Sequence, residues 1–432
     1  MKLPGEPFLA RQGSELRLEG HSLAELARRF GTPLFVYSRA SMLAALASYS
    51  QALRGRAHLL CYAMKANSTL AVLQTFAQAG CGFDIVSGGE LARVLAAGGD
   101  AAKVVFSGVG KTRPEMRQAL LAGVRCFNVE SVAELDTLDE VARALSRVAP
   151  VSLRVNPDID AGTHPYISTG LRANKFGIAH DRALAAFRHA ASLPGLRVVG
   201  IDCHIGSQIT QLDPYFDALD RLLDIVEKVE DSGITIHHVD VGGGLGINYT
   251  EEAAPDASAL VAGVFERLDA RGHGQRELLL EPGRSLVGNA GVLLTEVLYL
   301  KPGADEQDSE GGASKNFCVV DAAMNDLMRP ALYEAWMAIE PCTQRSGPTR
   351  RWEVVGPVCE SGDWLGHDRD LAVRSGDVLA VLSAGAYGMA MSSNYNTRPR
   401  AAELMLDGDQ VHLIRERESV PQLFAHEKLI RV

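Results

Sequence analysis

The central part of the chain alternates short apolar runs with amphipathic stretches. From residue 58 to residue 281, eight apolar runs of strand length are separated by stretches whose apolar residues recur at helical spacing. The predicted strands are Leu59–Ala63, Cys81–Val86, Lys103–Ser107, Arg125–Val129, Val151–Val155, Val198–His204, His237–Val241 and Leu278–Glu281. The predicted helices between them are Leu70–Ala79, Gly89–Ala97, Pro114–Ala122, Ser131–Ser146, Asp181–Ala191, Tyr215–Glu230 and Ala257–Arg271. Strands that alternate with helices in this way predict a parallel sheet.

Eight parallel strands can close on themselves into a (β/α)8 barrel, a fold of about 250 residues. The segment from residue 36 to residue 285 has that length, and we predict it to be a barrel domain. The alternative is an open doubly wound sheet, for which the chain offers no dinucleotide-binding fingerprint.

The segments before residue 58 and after residue 285 do not continue this regular alternation of strands and helices. Before it, Leu23–Phe30 and Arg39–Ala52 are predicted to be helices and Leu34–Tyr37 a strand. After it, the predicted strands are Val292–Leu300, Phe317–Asp321, Arg351–Val355, Val378–Val381, Glu403–Leu406 and Gln410–Arg415. Only Arg329–Ile339 is predicted to be helical there, and Lys301–Asn316 is predicted to be a mobile surface loop. We therefore predict that residues 286–432, together with residues 1–35, form a second domain that is all-β and barrel-like.

Composition excludes several classes of protein. The 432 residues are 47% hydrophobic and 22% charged, which is ordinary for a globular protein of two or three domains. The net charge of −10 and the lack of basic runs argue against a nucleic acid or an acidic membrane surface as a partner. No apolar run approaches the roughly 20 residues of a membrane span, and the N-terminal residues lack the apolar core of a signal peptide.

The cysteines are not patterned as a disulfide framework or a metal site. There are seven of them, an odd number, and none forms a CxxC pair. We therefore expect most of them to be buried thiols in a reducing cytoplasm, and we expect no resident metal.

Candidate chemistry lies at the ends of the predicted strands, where (β/α)8 barrels gather their functional residues. Every strand is followed by a polar or glycine-rich element: Lys65; Asp84 and Ser87; Ser107; Asn128 and Glu130; Arg154 and Asn156; His204 and Ser207; Gly242-Gly243-Gly244; and Glu281 with Arg284. Any one of these alone is best interpreted as a loop residue. Because all eight strands end in such an element, and parallel strands share one end of the barrel, the complete set predicts a functional site at the carboxyl ends of the strands.

Two of these elements indicate a particular cofactor. Lys65 follows a buried strand, and a desolvated lysine can act as an amine nucleophile, although a solvated loop lysine is more common. The turn Gly242-Gly243-Gly244 can direct backbone N–H groups at a phosphate, although by itself it is also a tight connection. A phosphate next to an amine nucleophile suggests pyridoxal phosphate held as a Schiff base.

Longer motifs carry a resemblance to a known family. Tyr62–Asn67, His204–Gln208, Gly242–Gly244, Glu281–Arg284, Cys359–Ser361 and Ala384–Tyr387 resemble the motifs of the barrel-type pyridoxal-phosphate decarboxylases. They occur in the family's order and cover nearly the whole chain. Asn156-Pro157, Thr163-His164, Thr169-Gly170, Asn174–Gly177 and Arg329–Tyr333 resemble the branch that converts meso-2,6-diaminopimelate to L-lysine and CO₂.

The resemblance implies a set of residues that hold pyridoxal 5'-phosphate. Lys65 would be its covalent anchor, and Glu281 would keep its ring nitrogen protonated. Its phosphate would be bound by Ser207, Gly243, Gly283, Arg284 and Tyr387. His204 would stack on the ring, while Asp84 and Arg154 would orient the site.

The resemblance also implies residues for proton transfer and for the substrate. Cys359 occupies the position of the family's proton donor. For the far end of the substrate, Arg284 and Arg329 would bind the carboxylate, Glu360 the ammonium, and Tyr333 and Tyr387 would line the pocket. In the resembled family the β domain of one subunit completes the barrel site of another, so a homodimer with shared sites is expected.

Two alternatives to this function remain at the level of sequence. One is a related decarboxylase that acts on another basic amino acid or on carboxynorspermidine. The other is a relative that binds the cofactor or a partner without catalysis, although such a protein could dispense with Lys65, Cys359, Ser207 and the glycine turn, all of which are present here.

Overall fold

The computed structural model describes residues 3–162, 164, 166–167, 169–171, 174–250, 253–303 and 315–430. The chain forms two compact units. The barrel unit comprises Leu43–Ile247 and Glu252–Leu286, and the β unit comprises Met1–Met42, Asn248–Glu251 and Val287–Val432. Most of the loop predicted at Lys301–Asn316 lies outside the described residues.

The described residues up to Ala52 contain four short strands and two helices, and the first segment of the β unit ends at Met42, within the second helix. They are β1 (Leu9–Gln12), β2 (Glu15–Leu18), β3 (His21–Ser22), α1 (Leu23–Phe30), β4 (Leu34–Ser38) and α2 (Arg39–Ala52). Helix α1 begins where the Ser22 side chain accepts a hydrogen bond from the backbone N–H of Glu25, and it ends at Gly31, whose φ is 74°. The bounds predicted for both helices are confirmed.

The barrel unit alternates strands with helices. Its strands are β5 (His58–Ala63), β6 (Gly82–Ile85), β7 (Val104–Phe106), β8 (Cys126–Val129), β9 (Ala149–Asn156), β10 (Ile178–Ala179), β11 (Leu196–Asp202), β12 (His238–Asp240) and β13 (Glu277–Leu280). Its helices are α3 (Leu70–Gln78), α4 (Gly88–Ala96), α5 (Arg113–Ala122), α6 (Val132–Ala144), α7 (Ala183–Ser192), α8 (Asp213–Asp231) and α9 (Ala257–Ala270). The eight main strands pair in parallel, and the pairing of β13 with β5 closes the sheet. The predicted (β/α)8 barrel is confirmed; β10 is a short addition beside the end of β9.

The barrel interior explains where polar residues gather. Cys61, Val105, Cys126 and Leu279 form a buried apolar cluster inside the sheet. Side chains alternate along a strand, so the residues two positions later also point inward, one layer closer to the carboxyl ends. That layer includes Ser107, Asn128 and Glu281, which the sequence places at the strand ends.

The rest of the β unit is built around one long strand. The barrel unit ends in α10 (Arg284–Val287), at Leu286. In chain order the elements that follow are β14 (Gly291–Lys301), β15 (Phe317–Val320), α11 (Arg329–Tyr333), β16 (Ile339–Pro341), β17 (Arg350–Val355), β18 (Trp364–Leu371), β19 (Val378–Val381), β20 (Ala402–Asp407), β21 (Gln410–Arg415) and α12 (Val420–Leu423). The sheet order is β18-β17-β15-β14-β4-β20-β21, and β19 pairs with both β14 and β16. Because β4 lies within this sheet, the barrel unit begins at Leu43, beyond the predicted boundary at residue 36.

Two of the differences between the β unit and the sequence prediction have a local cause. The helix predicted over Arg329–Ile339 is wrong: α11 stops at Tyr333 because Glu334 adopts a left-handed conformation, with φ 51° and ψ 30°. Strand β18 was not predicted, because its charged residues and the positive φ of 55° at Asp368 interrupt the alternation typical of a strand. Among the described residues, no helix is both long enough and apolar enough to cross a bilayer.

Candidate active site

Lys65 lies at the carboxyl end of the barrel, in the short turn Met64–Ala66 that follows β5. Its Nζ is 2.8 Å from Oδ2 of Asp84 on the neighbouring strand β6. The Asp84 side chain is fully buried, whereas 37% of the Lys65 side chain is exposed. A buried carboxylate therefore holds an amine that small molecules can still reach.

Glu281 follows β13 and is buried in a network of polar groups. The amide nitrogen of Asn128 donates to Oε1 of Glu281 at 3.3 Å and to Oγ of Ser107 at 3.2 Å. Burial raises the pKa of Glu281 well above its ordinary value, and the nearby carboxylates, Asp240 first among them, raise it further. A cation close to Glu281 would oppose that shift and favour its ionised form.

Arg154 lies on β9, and His204 follows the neighbouring strand β11. Arg154 donates to Oε1 of Glu130 at 3.0 Å and to the carbonyl of His204 at 3.5 Å. Nδ1 of His204 accepts a hydrogen bond from the backbone N–H of Gly243 at 3.2 Å. Burial lowers the pKa of His204 well below its ordinary value, and the charges of Arg154 and Lys65 lower it further. The imidazole is thus a neutral ring with a fixed orientation, suited to stacking on a flat ligand.

The turn after β12 requires glycine for two different reasons. Gly242 and Gly244 have φ values of 69° and 100°, which disfavour other residues. At Gly243, a Cβ atom would lie 2.0 Å from the carbonyl oxygen of Glu281, so any side chain would collide with the end of β13. Nearby, Arg284 donates to Oγ of Ser207 at 2.9 Å. The region therefore combines a closely packed glycine turn with a hydroxyl and a guanidinium, which are groups that bind a phosphate.

These residues fit pyridoxal phosphate. The cofactor needs an amine for its aldehyde, an acid for its ring nitrogen, a flat neighbour for its ring and donors for its phosphate. Lys65, Glu281, His204 and the region around Ser207 and Gly243 offer these groups at the carboxyl ends of adjacent barrel strands. The predicted residues Asp84, Arg154, Gly283 and Arg284 belong to the same unit.

In the β unit, Arg329 begins helix α11 and is only 5% exposed. Its guanidinium lies 5.3 Å from the ring centre of Tyr249 and 5.8 Å from that of Tyr333. Cation–π contacts on both rings restrict where the guanidinium can point. Tyr333 was predicted as a site residue and Tyr249 was not.

Cys359 and Glu360 lie on a loop that a buried aspartate fixes. Oδ2 of Asp363 accepts a hydrogen bond from the backbone N–H of Val358 at 2.7 Å, and Oδ1 accepts one from Met324 at 2.7 Å. Of the seven cysteines, only Cys359 is exposed. The Tyr395 hydroxyl donates to Oε1 of Glu360 at 2.5 Å.

The predicted site residues thus form two groups, one in each unit. Arg329, Tyr333, Cys359, Glu360 and Tyr387 belong to the β unit, and Tyr387 has a φ of 56°, which is rare outside glycine. The other predicted residues belong to the barrel unit. Thr163, part of one motif, lies outside the described residues.

Comparisons with known proteins identify the family. Residues 39–288 match the model of the pyridoxal-binding domain of the pyridoxal-dependent decarboxylases. The chain is 58% identical to the diaminopimelate decarboxylase of Pseudomonas aeruginosa, over 96% of this chain and 98% of that protein, and 53% identical to that of Vibrio cholerae, over 98% and 99%. The crystal structure of diaminopimelate decarboxylase from M. jannaschii in complex with L-lysine matches with a TM-score of 0.92 and 36% identity, over 99% of both chains. The chain therefore belongs to the diaminopimelate decarboxylase family of pyridoxal-phosphate-dependent enzymes.

Proposed function

We propose that the protein converts meso-2,6-diaminopimelate to L-lysine and CO₂ with pyridoxal 5'-phosphate, as a step of lysine biosynthesis. The observation that carries the proposal is the amine of Lys65, held by Asp84 at 2.8 Å at the carboxyl end of a (β/α)8 barrel. The match to diaminopimelate decarboxylases over nearly the whole chain supports the choice of substrate.

Several residues, all but Tyr387 from the barrel, would hold the cofactor and prepare it for reaction. Bound there, pyridoxal phosphate supplies an electron sink for the electron pair that departing CO₂ leaves behind. Lys65 Nζ would bind its aldehyde carbon, and Asp84 positions that nitrogen. Glu281 would hold a proton at the ring nitrogen, and His204 would cover one face of the ring. Ser207, Gly243, Gly283, Arg284 and Tyr387 would bind the phosphate, while Arg154 positions the segment around His204 through its carbonyl.

The loop that carries Cys359 would complete the reaction. After CO₂ leaves, Cα of the substrate needs a proton, and the exposed thiol of Cys359 can provide one. Asp363 holds this loop through two backbone N–H groups, so the thiol is presented from a fixed segment.

The far end of the substrate carries an ammonium and a carboxylate, and the chain offers a partner for each. Arg329, restrained between two tyrosine rings, would bind the carboxylate together with Arg284. Glu360 would bind the ammonium, with Tyr333 and Tyr387 lining the pocket. A plain diamine-forming decarboxylase needs no arginine for this end of its substrate.

Replacing Glu281 with glutamine is expected to lower kcat by about 10²–10³-fold, the usual cost of losing one charge-specific contact to a transition state. An amide cannot hold a proton at the ring nitrogen, although it can still bind there. Steady-state kinetics on cofactor-saturated protein would measure the change. The matched control is Glu277→Gln at the other end of β13, where the carboxylate pairs with Arg125. Equal rates for the Glu281 variant and the parent would contradict the assignment.

Replacing Arg329 with leucine is expected to lower kcat/KM for diaminopimelate by about 10- to 150-fold, the loss of a hydrogen bond to a charged group. Cofactor affinity should change little, because this contact serves only the far carboxylate. Titration with the cofactor and kinetics with diaminopimelate separate the two effects. Arg350→Leu is the control, since Arg350 also lies near an aromatic ring, that of Trp352, but is exposed. The pocket assignment fails if the Arg329 variant keeps its preference for diaminopimelate.

A substrate panel tests the proposed substrate against its alternatives. Diaminopimelate, ornithine, lysine and carboxynorspermidine should be offered to the same preparation at equal concentrations. Only diaminopimelate should be turned over efficiently. Faster turnover of another member of the panel would move the protein to a different branch of the family.

We also propose a two-fold homodimer whose sites combine the barrel of one subunit with the Cys359 loop of the other, located in the cytoplasm. The resemblance to the family supports the shared sites. The six buried cysteines support the location, since free thiols persist in a reducing compartment.

A further inference from the structure

Three acidic side chains meet inside the barrel beside the proposed ring site. Asp202 ends β11, Asp240 ends β12 and Glu281 follows β13, so they come from three neighbouring strands. One carboxylate oxygen from each lies within 4.8 Å of the others. Their exposed fractions are 1%, 0% and 5%. We refer to Asp202, Asp240 and Glu281 as the carboxylate trio.

The charges around the carboxylate trio do not balance three anions. The titratable groups that face it are Lys65, Asp84, Glu130 and Arg154, with the thiols of Cys61, Cys126 and Cys203. The two cations among them already have carboxylate partners: Lys65 pairs with Asp84 at 2.8 Å, and Arg154 pairs with Glu130 at 3.0 Å and reaches Asp202 only at 4.0 Å. Three buried negative charges at this spacing cannot coexist, so the trio holds at least one proton.

The hydrogen bonds indicate where that proton can lie. Oδ1 of Asp240 accepts from the backbone N–H of Gly242 at 2.8 Å, and Oε1 of Glu281 accepts from Asn128. The carboxyl groups of Asp240 and Glu281 come from neighbouring strands, and a proton held between them relieves the repulsion of two buried anions. Oδ2 of Asp240 and Oδ1 of Asp202 are both buried and have no hydrogen-bond partner among the described residues. Asp240 ends the strand next to β13 and Asp202 does not, so Oδ2 of Asp240 is the one open to a proton from Glu281.

We infer that Asp240 is a positioning residue that takes the shared proton from Glu281 and so allows Glu281 to act as an anion. In this exchange one O–H bond breaks on Glu281 and one forms on Asp240, and the net charge of the trio stays the same. The use of the anion beside a cationic ring rests on the proposed function. The proton sharing itself depends only on the geometry of the trio.

The pH dependence of stability gives a test that needs no activity. Burial raises the pKa of Asp240 to about 6, above the value it has in the unfolded chain. The folded protein therefore holds this proton more tightly than the unfolded chain, and stability falls as pH rises from about 4 to about 6. Asparagine cannot ionise, so Asp240→Asn removes that loss while keeping an oxygen for Gly242.

The experiment compares melting temperatures of the cofactor-free parent and Asp240→Asn at pH 5 and pH 8. At each pH we subtract the melting temperature of the parent from that of the variant. We expect this difference in melting temperature to be larger at pH 8 than at pH 5, by roughly 3 °C or more. Asp139→Asn is the matched control, because Asp139 is a buried aspartate that accepts the backbone N–H of Gly195 at 2.7 Å outside the site. That control should lose similar stability at both pH values.

Kinetics of the cofactor-loaded proteins provide a second measurement. Asp240→Asn should shift the acidic limb of the pH profile of kcat, and Asp139→Asn should leave that limb in place. If Asp240→Asn instead melts lower by the same amount at both pH values, Asp240 is merely structural and the inference is overturned. If the pH-dependent stability is found but the parent shows no decarboxylation, the proposed function fails while the proton sharing stands.

Discussion

Replacing Lys65 with alanine is expected to abolish decarboxylation, with a loss of about 10⁴- to 10⁶-fold, the scale seen when a covalent nucleophile is removed from an enzyme. The reason is that no other group would bind the cofactor aldehyde and pass it to the substrate amine. The visible absorbance of lysine-bound cofactor should disappear with the activity. Single-turnover kinetics and absorbance spectra of the same samples would measure both.

Lys65→Arg separates the covalent role of Lys65 from its charge. Arginine keeps a cation beside the buried Asp84 but lacks the nucleophilic amine, so this variant should be as inactive as the alanine variant. Lys103→Ala is the control for loss of a lysine elsewhere, since the Lys103 side chain donates its described hydrogen bond to the carbonyl of Gly80, outside the site. An alanine variant with the parent's rate and colour would remove the foundation of the proposed function.

Replacing Cys359 with alanine is expected to reduce turnover by about 10²–10⁴-fold, the usual contribution of a positioned acid.

Mixing this variant with Lys65→Ala then tests whether sites are shared between subunits. In a mixed dimer with shared sites, one site collects both defects and the other is intact. After random exchange, about half of the dimers are mixed, so activity should return to about a quarter of the parent's value.

The control for this complementation is a mixture of Lys65→Ala with Lys65→Arg. Both defects then lie in the barrel, and no arrangement of subunits restores a complete site. Subunit exchange must be followed independently, for example with two affinity tags. If exchange occurs and the Cys359 and Lys65 variants do not restore each other, each site is contained in one chain.

Much of the barrel could be predicted because its signals are local. Each strand is an apolar run bounded by polar residues, and the helices between them have helical periodicity, so the order of elements follows from the sequence. Lys65, His204 and Glu281 could be nominated as candidates because each ends such a run, and the family motifs gave them roles. The glycine turn could be singled out, although the collision at Gly243 becomes evident only when β12 and β13 are adjacent.

Other features depend on contacts between distant parts of the chain. Tyr249 and Arg329 are 80 positions apart, and nothing in either segment indicates that they meet. Asp240 lies in the predicted strand before the glycine turn, and the alternation of side chains along that strand could have predicted that it points into the barrel. Its proximity to Asp202 and Glu281 could not be predicted, because it depends on the closed sheet. The prediction of a helix over Arg329–Ile339 failed because Glu334 adopts a left-handed conformation and ends the helix. The spacing of apolar residues gives no sign of such a conformation.

The most direct measurement of the central claim is the release of CO₂ and L-lysine from meso-diaminopimelate by the purified, cofactor-loaded protein. The LL isomer and the Lys65→Ala variant serve as parallel controls. We predict equal amounts of the two products from the meso isomer, little from the LL isomer and none above background from the variant. Failure of the cofactor-loaded parent to form lysine from meso-diaminopimelate would contradict the proposed function.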